Sequence, residues 1–199
     1  MSDQYKTLLK PSQEILFKER NSKFYGYAFP IENETQAKKY IEDLRKANTR
    51  ANHVCYAWQL GIEKLNFRVN DDGEPTNSAG NPIYGQIQSF EITNVLIAVV
   101  RYFGGTKLGV GGLIHAYRTT AQLALENSVI VMKTLEESIS ISFTYASMNS
   151  VMRIIKKHQL RIVSQTTDLE CNFIVAVRKI DAENIKSIFR NAMDITFND

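Results

Sequence analysis

Residues that form disulfides and metal sites are scarce in this chain. Its 199 residues include two cysteines and three histidines. Cys55 and Cys171 each lie within an apolar, strand-like segment, so we expect two buried thiols and no disulfide. Because there is no CxxC pair and the histidines are scattered, we expect neither a metal site nor a cofactor.

Long apolar runs and a strong excess of charge are also absent. No apolar run approaches the length needed to cross a bilayer, and the N-terminal MSDQYKTLLKPSQ lacks the pattern of a signal peptide. We therefore expect a soluble, cytoplasmic protein with no membrane partner. The net charge of +3 is too small to demonstrate a nucleic-acid partner by itself. Hydrophobic residues make up 44% of the chain, which is enough for the core of one large or two small domains.

Strand and helix patterns alternate along the first part of the chain. The patterns predict strands at 24–31, 53–61 and 92–100, and helices at 35–47 and 112–127. Thr35 is the expected N-cap of the first helix. The segment between the second and third strands is rich in Asn, Asp, Gly and Pro, which predicts a long loop with one helical turn near Ala79.

The alternation begins again near residue 136. The patterns there predict a strand in ESISISF, a helix in MNSVMRIIKKHQL, strands in LRIVSQT and CNFIVAV, a helix in DAENIKSIFR with Asp181 as its N-cap, and a last strand in MDITF. This order is the βαββαβ arrangement of ferredoxin-like domains. We therefore predict an α+β protein with two domains, at residues 1–134 and 137–199.

The segment RYFGGTKLGVGGLIHAYR, at 101–118, holds half of the ten glycines of the chain. It connects a predicted strand to a predicted helix, and no acidic residue occurs between Glu91 and Glu126. Unpaired amides at a helix start, bare glycine backbone and nearby cations together favour an anion such as a phosphate. The candidate anion- or nucleic-acid-binding residues are Arg101, Tyr102, Gly104, Gly105, Lys107, Gly109, Gly111, Gly112, His115 and Arg118.

Alternatively, the glycine segment has only a structural role. It matches neither GxxxxGK[ST] nor GxGxxG, and glycines are also needed where a strand and a helix pack closely. Tyr102 and Phe103 could stack on a base, although aromatic residues at strand ends more often belong to a core. Both interpretations stay open at this point.

The segment NDDGEPTNSAGNPIYG, at 70–85, carries an acidic loop made of Asp71, Asp72, Gly73 and Glu74. Its three carboxylates could hold a hard cation or act as an acid and a base, but the spacing of an EF-hand is absent. A solvated turn is an alternative, because Asp-Gly and Glu-Pro are common turn dipeptides. A third is that the acidic loop faces the basic glycine segment and is held to it by paired charges.

Taken together, these two segments resemble the signature of the IMPACT/YigZ family. That signature has a DDGEP-type loop, a TNV strand and an RYFGG-x-KLG-x-GGL-x-x-AY segment. The matching positions are Asp71–Pro75, Thr93–Val95, Arg101–Gly105, Lys107–Gly109, Gly111–Leu113, Ala116 and Tyr117. The resemblance covers nearly the whole chain. His115 differs, because arginine is common there in the family, which implies weaker or pH-dependent binding of phosphate.

The resemblance implies a fold and a process. The first domain should resemble a small-subunit ribosomal protein domain and domain IV of elongation factor G, and the second should resemble domain V of that factor. Eukaryotic IMPACT proteins regulate translation by competing for an activator of a stress kinase, and they carry an extra N-terminal domain for partner binding that we do not expect here. For bacterial members, binding of RNA or the ribosome is proposed by analogy of fold.

Three functions are consistent with these observations. The one we predict is a non-enzymatic protein that binds RNA or the ribosome and is linked to translation or its regulation. The second is an enzyme that acts on a small phosphorylated or nucleotide substrate, with the acidic loop as base or magnesium ligand. The third is a module that binds a protein partner, in which the two loops contact each other and leave no open pocket.

Overall fold

The computed structural model describes residues 3–192 and 195–198. The chain divides into two compact units: an N-terminal unit, Tyr5–Lys133, and a C-terminal unit made of Met1–Gln4 and Thr134–Asp199. Asp3 and Gln4 therefore group with the C-terminal unit, although the sequence placed them in the first domain. The Asp3 carboxylate forms an ion pair with the Arg178 guanidinium, at 2.8 Å, within that unit.

The N-terminal unit is built on an antiparallel sheet of five strands. Its elements, in chain order, are β1 (Gln4–Leu8), β2 (Ile15–Glu19), β3 (Ser22–Pro30), α1 (Glu34–Ala47), β4 (His53–Leu60), β5 (Asn66–Asn70), α2 (Gly80–Ser89), β6 (Val95–Tyr102), α3 (Gly109–Glu126) and β7 (Ile130–Thr134). Only the end residues Gln4 of β1 and Thr134 of β7 group with the C-terminal unit. The strand order of the sheet is β2-β3-β6-β4-β5, and β1 pairs with β7 in a separate two-stranded sheet. β6 is thus the central strand.

Helices cover both faces of this sheet. Val95, Ile97 and Val99 of β6 pack in a core with α2 and α3, whereas Leu96 and Ala98 pack in a second core with α1. Successive side chains of a strand point to opposite faces, so a strand covered on both sides must be apolar throughout. This explains the uninterrupted apolar run that made this strand easy to predict.

The C-terminal unit is a four-stranded antiparallel sheet with two helices. Its elements are β8 (Glu136–Phe143), α4 (Met148–Lys157), β9 (Arg161–Thr167), β10 (Cys171–Arg178), α5 (Ala182–Asn191) and β11 (Ile195–Asn198). The strand order β11-β8-β10-β9 and the βαββαβ sequence of elements are ferredoxin-like. The two-domain α+β fold predicted from the sequence is confirmed. Of the last predicted strand, Met193 and Asp194 lie outside the described residues.

Two local predictions were wrong. The long loop predicted before β6 contains β5 and the ten-residue helix α2. The N-cap of α1 is Asn33 and not Thr35: the Asn33 side chain accepts a hydrogen bond from the Gln36 amide, and the Gln36 side chain accepts one from the Glu32 amide. Asp181 does occupy the N-cap position of α5, but its side chain makes no capping hydrogen bond.

Candidate nucleic-acid interface

The glycine segment connects β6 to α3, as the sequence indicated, and its first part is packed against the fold. The Phe103 amide donates to the Asn52 side chain at 2.8 Å, and the Gly104 amide donates to the Ser22 hydroxyl at 3.1 Å. A Cβ atom at Gly104 would lie 2.1 Å from the backbone carbon of Asn21, in the turn between β2 and β3. Gly104 is therefore needed for close packing.

The second part of the segment is open to solvent. Gly105, Lys107, Gly109 and Gly111 are exposed, and a Cβ atom at any of these three glycines would meet nothing within 4 Å. Gly105 and Gly109 have φ angles of +87° and +72°, which glycine adopts without strain. No close packing requires glycine at Gly111.

The N-terminal end of α3 lacks a side-chain cap. The N-cap residue is Leu108, which makes no side-chain capping hydrogen bond, and the first turn contains no acidic residue. The first amides of a helix have no partner within the helix and carry partial positive charge. Since α3 spans 18 residues, its exposed start is an electropositive backbone surface with Lys107 beside it.

Arg101 does not belong to that exposed surface. Its side chain is only 6% exposed, and its Nη1 lies 2.6 Å from the Glu74 Oε1. The guanidinium also stacks over the rings of Phe24 and Phe103, at 5.4 and 5.6 Å from their centroids. A buried charge is tolerated when it is paired in this way.

The Glu74 carboxylate is the centre of this buried polar cluster. The Tyr117 hydroxyl of α3 donates to its Oε1 at 2.7 Å, and the His53 Nε2 lies 3.8 Å from the same oxygen. The Cys55 thiol lies 3.3 Å from the Tyr117 oxygen and 3.0 Å from the Asp71 carbonyl, so it can donate to either. Burial is the main cause that raises the pKa values of the Cys55 thiol and the Tyr117 hydroxyl above their ordinary range.

The rest of the acidic loop also holds the fold together. The Asp71 carboxylate accepts hydrogen bonds from the amides of Ala79 and Gly80 at the start of α2, at 2.9 and 2.8 Å. The Asp72 carboxylate accepts from the Val54 amide at 2.7 Å and from the Arg45 guanidinium at 2.6 Å. Gly73 is exposed and has a φ angle of +87°.

The remaining predicted site residues fall into two groups. His115 and Arg118 are exposed on α3, and Gly112 is half-buried at its start, so these three lie on the same helix as Gly109 and Gly111. Tyr102 is half-buried, and its hydroxyl donates to the Asn48 side chain at 2.8 Å. The structure thus separates the predicted set into exposed residues along α3 and the inward-facing Arg101.

Sequence reasoning missed two members of the buried cluster. The sequence assigns Tyr117 no partner, and it predicts for Cys55 only a buried thiol. No local pattern reveals that either side chain reaches the acidic loop, since Tyr117 and Glu74 are 43 residues apart. The match of Tyr117 to the family signature was the one available signal.

Two further observations concern metals and membranes. Among the residues that the structure describes, no group of three or more His, Cys, Asp and Glu side chains could hold a metal ion. None of the described helices is both long and apolar enough to span a bilayer.

Comparisons with known proteins agree with the sequence signature. Residues 20–125, more than half of the chain, match the model of the Impact N-terminal domain. An IMPACT family member of Haemophilus influenzae is 29% identical over 186 residues, which are 90% of this chain and 89% of that protein. A protein IMPACT homolog of Saccharomyces cerevisiae is 31% identical over 52% of this chain and 42% of its own.

A solved structure shows the likeness of fold over both units. The crystal structure of a hypothetical protein matches with a TM-score of 0.72 at 22% identity, and the match covers 99% of this chain and 97% of the other. The fold and the site define a two-domain α+β protein whose glycine segment opens a long helix beside an internally paired acidic loop. The chain belongs to the IMPACT family.

Proposed function

We propose that the protein is a non-enzymatic RNA- or ribosome-binding protein that acts in the cytoplasm and is linked to translation or its regulation. Membership of the IMPACT family fits a role in translation. The observation that carries the binding proposal is the exposed, uncapped start of α3 with no acidic residue in its first turn. We call the exposed residues Lys107, Gly109, Gly111, His115 and Arg118 the α3 surface.

The spacing of the α3 surface suits an extended polyanion. Gly111, His115 and Arg118 are separated by four and three residues, so they lie along one side of the helix. With a rise of about 1.5 Å per residue, Gly111 and Arg118 are about 10 Å apart along the axis. A single strand of RNA could therefore place one phosphate at the helix start and another near Arg118.

The geometry supports an enzyme less well. Asp71, Asp72 and Glu74 each accept hydrogen bonds from groups of the fold itself. A catalytic base or a magnesium ligand needs a free lone pair that faces the substrate. The contact between the two loops, through Arg101 and Glu74, agrees with one part of the hypothesis of a module that binds a protein partner. That hypothesis does not explain why the start of α3 is exposed.

Charge reversal on the α3 surface tests the proposal. We expect the double variant Lys107→Glu, Arg118→Glu to bind a fluorescently labelled single-stranded oligouridylate at least about tenfold more weakly at low salt, since two phosphate contacts become repulsive. Fluorescence anisotropy measures the dissociation constants. The matched control is Lys38→Glu, Lys39→Glu on α1, which changes the net charge equally on the opposite face of the sheet.

The dissociation constants of the unmodified protein and the two variants distinguish three outcomes. Binding by the unmodified protein and the α1 control, together with loss in the α3 variant, supports the proposal. Equal weakening in both variants would show that net charge alone attracts RNA. If the unmodified protein binds no RNA at low salt, RNA binding at the α3 surface is wrong.

A further inference from the structure

A cavity of about 410 Å³ lies on the N-terminal unit, next to the glycine segment. It is lined by Asn21, Lys23, Tyr25, Asn48, Tyr102 and Phe103, with Glu14 at one side. Its size is within the range of small-molecule sites. Phe103 directly precedes Gly104, so the cavity adjoins the chain that leads to Lys107 and the α3 surface.

The sheet itself builds the floor of this cavity. Phe24 of β3 points into the core formed with α2 and α3, so its neighbours Lys23 and Tyr25 point to the other face. On that face α1 packs mainly against β4 and β6. The part formed by β2 and β3 is left partly open, and Leu16 and Lys18 of β2 are exposed there.

Two lysines lie directly opposite each other on this open face. Lys18 pairs with Lys23 across β2 and β3, and Lys23 pairs with Tyr102 across β3 and β6. Within residues 3–192 and 195–198, neither lysine side chain forms an ion pair or a hydrogen bond. Like charges opposite each other destabilise a sheet, and such conflicts between local rules and fold are expected at functional sites. A bound anion between the two ammonium groups would resolve the repulsion.

Aromatic rings in fixed orientations form the walls of the cavity. The rings of Tyr25 and Tyr102 make an edge-to-face contact with centroids 5.7 Å apart. The Tyr102 hydroxyl donates to Asn48, which fixes the ring, and Phe103 is 45% exposed. The Asn21 side chain is exposed and, in the described part of the chain, makes no hydrogen bond. Its amide can both donate to and accept from the edge of a planar heterocycle.

These groups together recognise a nucleotide better than a bare anion. The Glu14 carboxylate, which accepts a hydrogen bond from the Tyr27 hydroxyl, disfavours a phosphate at its side of the cavity. The aromatic rings and the free amide suit the faces and the edge of a base, and the two lysines suit the phosphate attached to it. We propose that this cavity binds one unpaired base of single-stranded RNA, with Lys18 and Lys23 at the adjoining phosphate.

This inference rests on the proposed function, and it adds contacts to bases on the face of the sheet opposite to α3. It predicts a difference in affinity between strands with and without bases, which phosphate contacts alone would not produce. Stacking of a base on an aromatic side chain is sequence-tolerant and strengthens binding by about five-fold or more.

The test compares a labelled oligouridylate with a strand of abasic spacers of equal length and equal phosphate number. We expect the unmodified protein to bind the oligouridylate at least about five-fold more tightly than the abasic strand. The preference should disappear in Tyr102→Leu, which removes the ring, and persist in Tyr102→Phe, which removes only the hydroxyl bonded to Asn48. Lys39→Ala on α1 is the control for a lysine outside the cavity.

Each outcome decides between the two proposals. Equal affinity for both strands overturns the base site while leaving phosphate binding at α3 intact. If the protein binds neither the oligouridylate nor the abasic strand, both proposals are overturned. A preference that survives in folded Tyr102→Leu and in Tyr25→Leu would place base recognition elsewhere and so overturn the assignment to this cavity. If both leucine variants fail to fold, Lys18→Ala and Lys23→Ala decide: the assignment requires each to weaken binding of the oligouridylate more than Lys39→Ala does.

Discussion

At the scale of single residues, Glu74 has the largest predicted effect on stability. Its carboxylate is 4% exposed and neutralises the buried guanidinium of Arg101. Removal of one partner of such a pair leaves an uncompensated charge in a region that water does not reach. The Arg101 Nε, which is buried without a hydrogen-bond partner among the described residues, shows that this guanidinium depends on few contacts.

We therefore predict that Glu74→Ala lowers the free energy of unfolding of the N-terminal unit by about 3–5 kcal/mol. Urea unfolding followed by the fluorescence of Trp58 measures this, because Trp58 is the only tryptophan and is buried in that unit. The control is Arg45→Ala, which removes the half-exposed partner of Asp72 and should cost about 1 kcal/mol or less. Similar losses in both variants would contradict the central role of Glu74.

The Cys55 thiol gives a prediction for alkaline pH. Burial raises its pKa above the ordinary value of 9.0, so the folded protein keeps the thiol neutral where the unfolded chain ionises. The contribution to stability is complete below pH 9.0 and is lost as the pH rises above that value. We expect the urea midpoint to fall between pH 9 and about pH 10, and to fall less steeply in Cys55→Ala.

The control for this pH dependence is Cys171→Ala in the C-terminal unit. Cys171 is also buried, but it lies in a separate core from Trp58. Its removal should leave the alkaline slope of the Trp58 transition unchanged. An unchanged slope in Cys55→Ala would show that other groups, such as the Tyr117 hydroxyl, cause the loss.

At the scale of elements, glycine serves different purposes before and within α3: Gly104 allows close packing, whereas Gly111 lies in open space. We predict that Gly104→Ala destabilises the protein by about 1–3 kcal/mol, because its Cβ would overlap the backbone of the β2–β3 turn. Gly111→Ala should be neutral or stabilising by up to about 1 kcal/mol, because it adds helix propensity in open space. Urea unfolding of both variants distinguishes these effects, and a reversed order would contradict this account of the packing.

Elements with a regular apolar pattern could be predicted from the sequence, and α2 could not. α3 and the central strand follow helical spacing and an unbroken apolar run. α2 begins with Gly80, Asn81 and Pro82, residues typical of loops, and its start is stabilised by the Asp71 carboxylate from nine residues earlier. A cap supplied by a folded loop has no local signature. β5 was missed for a similar reason, since its exposed residues become a strand by pairing with β4.

At the scale of the whole molecule, the two units carry different basic surfaces. The α3 surface belongs to the N-terminal unit, and the exposed cations Arg153, Lys156 and Lys157 lie on α4 of the C-terminal unit. Both could attract a polyanion at long range. Only contacts that displace counterions from phosphates change the dependence of affinity on salt.

We predict that neutralisation of Lys107 and Arg118 to alanine makes the slope of log affinity against log salt shallower by about 0.7 for each cation removed. Anisotropy titrations of the oligouridylate at several potassium chloride concentrations give the slope. Neutralisation of the three α4 cations should leave it unchanged. A change in the slope with the α4 variant would place phosphate contacts in the C-terminal unit instead.

The sequence alone determined the two-domain α+β fold and the membership of the IMPACT family, and it located the glycine segment between a strand and a helix. Alternation, helical spacing and linear motifs suffice for these because they depend on residues near in sequence. The tertiary structure decided that Arg101 turns inward to Glu74 while Lys107 faces solvent, and that Lys18, Lys23 and Tyr102 share one face. These depend on strand register and loop packing, which join residues far apart in the chain and leave no trace in any local pattern.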